Sequence, residues 1–77
     1  MQESTYILEI YEPASTKDVL NSFRSPTPFM GIHTGDRIST AGWGIEPSRG
    51  TLRVTAVEHI VLDHGDYATH KCCVFTA

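Results

Sequence analysis

Two runs of alternating apolar and polar residues, rich in β-branched side chains, fill the second half of the chain. They lie within residues 51–76 and are separated by the turn-forming sequence Asp63-His64-Gly65-Asp66. Glycine and aspartate tolerate the positive φ angles that a tight connection requires. Residues 51–76 are therefore predicted to form a β-hairpin.

The alternation also predicts which side of the hairpin faces the core. One side of the first arm is the more apolar and is the expected core face: Leu52, Val54, Ala56, Glu58, Ile60 and Leu62. Glu58 interrupts this face, so the strand is expected either to bend, as at a β-bulge, or to carry the carboxylate to an edge. In the second arm both faces hold apolar residues, which is typical of a strand packed on one side and partly covered on the other.

The first half of the chain contains one clear strand and one ambiguous segment. Residues 4–12 alternate regularly and predict a first strand. Residues 15–23 allow two structures, because Ser15 and Asp18 resemble a helix-capping pair that precedes a short apolar stripe. The alternative is a loop followed by a strand over residues 19–25. The strand is preferred, because asparagine, serine and valine are poor helix formers and two prolines follow closely.

The middle of the chain is predicted to be irregular. Residues 25–28 contain two prolines and should cross in an extended conformation. The side chains of Phe29 and Ile32 are expected to pack over one end of the core and close it. Gly35-Asp36 is predicted to turn the chain into a short strand over residues 37–40.

Composition and length indicate a single small globular domain over residues 1–77. Apolar residues make up 40% of the chain and charged residues 19%, which is ordinary for a folded protein. A chain this short buries only roughly 60% of its unfolded surface, so its core is small. Five short strands without helices must close into a barrel or a highly curved sheet to hide their edges.

Two stretches of the sequence resemble the small SH3-like β-barrel proteins of bacteria and their phages. They are SPTPFMGIHTGDRI and LRVTAVEHIVLDHGDYATHKCCVFT, on either side of a tryptophan-bearing loop, and they cover about two thirds of the chain. The resemblance implies an all-β, SH3-like barrel of about five short antiparallel strands. The tandem tryptophans and acidic loop of signalling SH3 domains are absent, so proline-peptide binding is not implied.

The glycine-rich loop over residues 41–50 holds the single tryptophan, Trp43. Trp43 is expected either to cap the core or to stand out as a contact residue. Capping is favoured, because a domain with little core seldom leaves its largest apolar side chain in solvent. If Trp43 is exposed, this loop is the binding surface.

The net charge of −3 and the dispersed basic residues argue against nucleic acid as the main partner. Arg37, Arg49 and Arg53 could still converge into a local basic patch. With Trp43 as a stacking platform, such a patch defines the alternative function, a nucleic-acid-binding barrel.

The hairpin concentrates the residues that could carry metal or thiol chemistry: His59, His64, His70, Cys72 and Cys73. Zinc needs three or four ligands, and its usual Cys-x-x-Cys and His-x-x-x-His spacings are absent. A Cys–His nucleophile would need an orienting carboxylate and a concave pocket, which a filled small barrel lacks. We therefore expect no metal, no cofactor and no enzymatic activity, with a site on the hairpin as the less favoured alternative.

The remaining sequence features concern the compartment and the partner. No apolar run approaches the roughly 20 residues of a membrane helix, and residues 1–4 do not resemble a secretory leader. Adjacent cysteines in a strand point to opposite faces and do not bridge, which fits a reducing, cytoplasmic setting. The predicted function is a non-enzymatic binding or accessory module that contacts protein, with a homodimer expected from an exposed final strand.

Overall fold

The computed structural model describes residues 4–45, 47 and 49–77. This part of the chain forms five strands, which are β1 (Thr5–Tyr11), β2 (Val19–Ser25), β3 (Arg37–Ser39), β4 (Thr51–Asp63) and β5 (Ala68–Thr76). They form one sheet in the order β2-β1-β5-β4-β3, curled into a half-barrel. The described residues include no helix of the length and apolarity needed to cross a membrane. The all-β class and the number of strands are confirmed.

The β1–β5 pair is parallel, whereas the other three strand pairs are antiparallel. The expectation that all strands are antiparallel is wrong for this pair. Parallel neighbours need a long crossover connection, and the chain from β2 to β4 supplies it. Because β5 is paired with β1 on one side and β4 on the other, the expectation of an exposed final strand is also wrong.

The strand interpretation of residues 19–25 is confirmed. β2 pairs antiparallel with β1 from Val19 opposite Tyr11 to Ser25 opposite Tyr6, with a register shift between Ile10 and Tyr11. The hydroxyl oxygen of Ser15 accepts the N–H groups of Lys17 and Asp18 at 3.1 and 2.9 Å. The capping sequence is therefore used in a tight turn before β2 rather than at the start of a helix.

The predicted hairpin is formed by β4 and β5. Residues 64–67 connect the strands, and the His64 N–H donates to the Tyr67 carbonyl at 3.0 Å. Gly65 has a φ angle of 93°, and the Asp63 carboxylate accepts the Gly65 N–H at 2.9 Å. These are the roles for which glycine and aspartate are selected in turns.

A β-bulge in β4 changes which side chains face the core. The register shifts between Val54 and Ala56, so that Thr55 is the additional residue. Leu52 and Val54 are buried before the bulge, but Ala56 is exposed after it. Beyond the bulge the residues opposite Val74, Cys72 and His70 are odd-numbered, whereas the sequence predicted even-numbered core residues throughout. The bulge therefore accounts for Glu58, which turns away from the core face.

The core occupies the concave side of the sheet. Its buried members are Ile10, Leu52, Val54 and Val74. Partly buried side chains surround them: Leu8, Leu20, Phe23, Ile32, Ile38, Trp43, Val57 and Cys72. Ile32 and Trp43 belong to loops, so loops complete the core that five strands leave open.

The Gly35-Asp36 turn is also confirmed, and it is fixed to the sheet. Gly35 has a φ angle of 95°, a conformation that glycine adopts without strain. Its N–H donates to the Val54 carbonyl, and the Val54 N–H donates to the Asp36 carbonyl, both at 2.8 Å. The short strand β3 follows directly and pairs with β4 only at residues 51–53.

Candidate functional site

Trp43 lies against the core. Its ring meets that of Phe23 edge-on, with the centroids 5.3 Å apart and the planes at 69°. The side chain is half-buried, and the Trp43 N–H donates to the Thr40 carbonyl at 3.2 Å. This placement corresponds to the capping alternative.

Two of the three candidate arginines come together. Arg37 and Arg53 are directly opposite each other in the β3–β4 pair, and both are exposed. Among the described residues, neither side chain has a hydrogen-bond or ion-pair partner. Arg49 instead donates from Nε and Nη2 to the two carboxylate oxygens of Glu12, at 3.1 and 3.2 Å. This contact raises the pKa of Arg49, and the Glu12 carboxylate neutralises its charge, so Arg49 does not join Arg37 and Arg53.

The hairpin brings two histidines into contact. His59 and His70 lie diagonally across β4 and β5, and His59 Nδ1 is 2.9 Å from His70 Nε2. One ring donates the hydrogen bond and the other accepts it through its unprotonated nitrogen. Both rings line a small apolar pocket that residues 28–32 cover. The sequence predicted this neighbourhood without fixing the register.

Cys72 lies directly opposite His59 and lines the same pocket. Burial, followed by the charge of Cys73, raises the pKa of the Cys72 thiol, which makes its thiolate scarce at neutral pH. Both cysteines are free, as their adjacent positions predicted. Within the described ranges, no cluster of three or more histidine, cysteine or acidic side chains is arranged to hold a metal ion.

The outer edge of β4 lacks a neighbouring strand over most of its length. β4 has 13 residues, whereas β3 has three and covers only the start of β4. Among the described residues, no backbone group bonds the outer side of residues 56–63. We call these eight residues the open β4 edge. Alternate residues on such an edge direct free N–H and C=O groups into solvent.

The open β4 edge also carries exposed apolar side chains. Val61 is 66% exposed and Leu62 is 47% exposed. Lysine and proline, the residues that most often block edge pairing, are absent from residues 56–63. Backbone donors and acceptors and apolar side chains are therefore presented together at one place.

The opposite edge of the sheet is partly blocked. β2 is the other outer strand, and its Ser22 N–H donates to the side-chain oxygen of Asn21 at 2.8 Å. This local hydrogen bond occupies a backbone donor that an added strand would need. Pro26 follows the strand and lacks an N–H. The two outer strands thus differ in their capacity to accept another strand.

Sequence reasoning missed the open β4 edge. It assigned the binding role to Trp43 and the arginines, and it treated Val61 and Leu62 only as parts of an alternating strand. One signal was available, because the predicted strand over residues 37–40 is far too short to cover the long first arm of the hairpin.

The chain matches no protein-family model, and comparisons with curated proteins and with solved structures also return no match.

Proposed function

We propose that the protein is a non-catalytic binding module that contacts another protein by strand addition along the open β4 edge. The observation that carries this proposal is the unpaired outer side of residues 56–63, on which Val61 and Leu62 are exposed. An added strand gains main-chain hydrogen bonds from the edge and specificity from alternate side chains.

The chemistry of the hairpin supports a non-catalytic role. The raised pKa of Cys72 disfavours the thiolate that a nucleophile requires. His59 Nδ1 is already engaged with His70. The buried thiol of Cys72 and the His59–His70 hydrogen bond therefore leave the hairpin without an activated nucleophile.

Site-specific photo-cross-linking tests the proposal. Benzoylphenylalanine is introduced in place of Val61, and in a matched variant in place of Val19, which is 43% exposed on β2. After irradiation in the native cells, we expect covalent protein adducts from position 61 and few from position 19. Intact mass identifies the attached chain.

Two results would contradict the proposal. One is the absence of protein adducts from position 61 although the variant is folded. The other is equal adduct formation from positions 61 and 19, because it would show that exposure alone, and not the open β4 edge, determines contact.

Arg37 and Arg53 favour a second candidate function, nucleic-acid binding. Two adjacent cations without partners among the described residues can neutralise phosphates. This function predicts oligonucleotide binding that weakens with salt and is lost in the Arg37→Ala/Arg53→Ala variant. Arg24→Ala, which removes an exposed arginine from β2, is the matched control. No binding at low salt would eliminate this candidate.

Two further proposals follow from the sequence. The resemblance to small SH3-like barrels is supported at the level of a five-stranded curled sheet. A cytoplasmic location is supported by two free cysteines, since thiols persist in a reducing compartment.

A further inference from the structure

We infer that the partner at the open β4 edge is a second copy of this chain, paired antiparallel about a two-fold axis that passes through Val61. The inference rests on the proposed function and specifies its partner. The pairing would join two half-barrels through β4 into one continuous ten-stranded sheet, and it would remove the longest unpaired edge of each copy.

Symmetry restricts the possible registers. Two antiparallel strands related by a two-fold axis place each residue opposite a residue whose side chain lies on the same face. Because side chains alternate along a strand, the numbers of two opposing residues must have an even sum. The axis therefore passes through a residue position, and only a few registers lie within residues 56–63.

The register centred on Val61 pairs compatible side chains throughout. The opposing residues are Val61 with Val61, Ile60 with Leu62, His59 with Asp63, and Glu58 with His64. The first two pairs place apolar side chains together, and the other two place a carboxylate beside an imidazole. Both kinds of cross-strand pair stabilise a sheet.

The polar atoms needed for these contacts are available. His59 uses Nδ1 for His70, which leaves Nε2 without a partner among the described residues. Asp63 accepts the Gly65 N–H through Oδ1, which leaves Oδ2 for a second copy. The exposed carboxylate of Glu58 has no partner within the described part of the chain. The imidazole of His64 is partly engaged within the single copy. Its Nε2 is hydrogen-bonded to the hydroxyl of Thr69 at 3.0 Å, which leaves Nδ1 to face the Glu58 carboxylate of the second copy. With Nδ1 used in this way, pairing breaks no hydrogen bond of the single copy.

The neighbouring registers place charged side chains directly opposite apolar ones. An axis at Ile60 places Glu58 opposite Leu62, and an axis at Leu62 places Asp63 opposite Val61. Each arrangement removes a carboxylate from water without a compensating partner, which is unfavourable.

An axis at His59 is blocked by the turn before β3. It would bring Asp63 of the second copy opposite Thr55, next to Val54. At Val54 the outer side of β4 is already hydrogen-bonded by Gly35 and Asp36. The register centred on Val61 keeps the second copy clear of this turn.

The paired segment is short, so the dimer is expected to be weak and dependent on concentration. A stable interface buries about 800 Å² on each partner, and two strands of this length bury less than that. The average mass of the wild-type protein should therefore rise with concentration from 8.5 kDa toward twice that value.

Sedimentation equilibrium on the purified chain, with Val61→Lys and Val19→Lys as matched variants, tests this inference. Lysine at an edge disfavours strand pairing, and both positions are exposed, so both variants should fold. We expect Val19→Lys to associate like the wild type and Val61→Lys to remain monomeric. A wild-type chain that stays monomeric up to about 1 mM, or a Val61→Lys variant that associates as strongly as the wild type, would overturn the inference.

Disulfide trapping tests the register. Opposing Cα atoms in an antiparallel pair are about 4.5 or 5.5 Å apart, and both distances permit a disulfide. Mild oxidation should therefore link Val61→Cys into a covalent dimer much faster than Ile60→Cys, Val19→Cys or the wild type with its two native cysteines. Equal rates for the Val61→Cys and Ile60→Cys variants would refute the register.

The outcomes distinguish the inference from the proposed function. If the purified chain is monomeric while position 61 cross-links a different protein in cells, self-pairing fails and the strand-addition module stands. If position 61 yields neither a dimer nor another adduct, both fail.

Discussion

Tyr11 lies on the convex side of the sheet, which faces away from the core, and its contacts show how polar groups are satisfied there. Its hydroxyl lies 3.2 Å from a carboxylate oxygen of Glu9 and 3.9 Å from the sulfur of Cys73, and its ring packs on Phe75 with centroids 4.8 Å apart. Lys71 adds an ion pair with Glu9 at 3.2 Å. Half-buried polar groups on this face thus satisfy one another instead of being covered by a second layer.

We predict that Tyr11 makes stability decline in alkali. Burial, with further contributions from Cys73 and Glu9, raises the pKa of Tyr11 from 10.0 to about 12. Between these values the unfolded chain loses the phenol proton more readily than the folded chain, so unfolding becomes more favourable as pH rises. Stability associated with Tyr11 is present below pH 10 and is lost toward pH 12.

Urea unfolding between pH 9 and pH 12 provides the measurement. Tyr11→Phe should show a shallower alkaline decline than the wild type, with Tyr67→Phe as the control for loss of a phenol. Identical declines in the wild type and Tyr11→Phe would contradict this account of Tyr11.

Trp43→Ala is predicted to destabilise the fold. Replacing a fully buried tryptophan by alanine typically lowers the free energy of unfolding by about 3–5 kcal/mol. Because the Trp43 ring is only half-buried against Phe23, we expect a loss of about 2 kcal/mol. Chemical denaturation followed by circular dichroism measures the loss, with the exposed Arg37→Ala as a control. A Trp43→Ala variant as stable as the wild type would assign Trp43 to a contact role instead.

The turn between β4 and β5 depends on the positive φ angle of Gly65, so a substitution there measures how much this backbone conformation contributes to the stability of the protein. Gly65 has a φ angle of 93°, and an added Cβ there would meet no atom within 4 Å. Gly65→Ala should therefore cost about 1 kcal/mol through backbone strain alone. The urea midpoint measures this cost, and Asp66→Ala in the same turn is the control. An unchanged midpoint in Gly65→Ala would show that the turn relaxes to another conformation.

The strands and turns were predictable from the sequence, because alternation and turn residues act over short distances. β2 could be preferred as a strand because Asn21, Ser22 and Pro26 disfavour a helix locally. The bulge at Thr55 could not be located, since it depends on pairing with β5, and the faces of the following residues were therefore assigned wrongly. The parallel β1–β5 pair likewise depends on contacts between the two ends of the sequence.

The whole molecule is a curled sheet whose two outer sides are unequal. The β2 side is occupied in part by its own asparagine, whereas the short β3 leaves most of β4 without a neighbour. This asymmetry follows from strand order and strand length together, so neither the Trp43 loop nor the arginines indicated it. Residues 56–63 therefore form the edge at which we propose that another strand adds to the sheet.

Amide hydrogen exchange followed by NMR in dilute solution measures whether the outer side of β4 is open. Along residues 57–63, amides directed toward β5 should be protected and the alternate amides, directed outward, should exchange rapidly. Raising the protein concentration should protect the outward amides of the same residues. Uniform protection of residues 57–63 in the dilute monomer would contradict the account, because it would mean that the outer side of β4 is already covered.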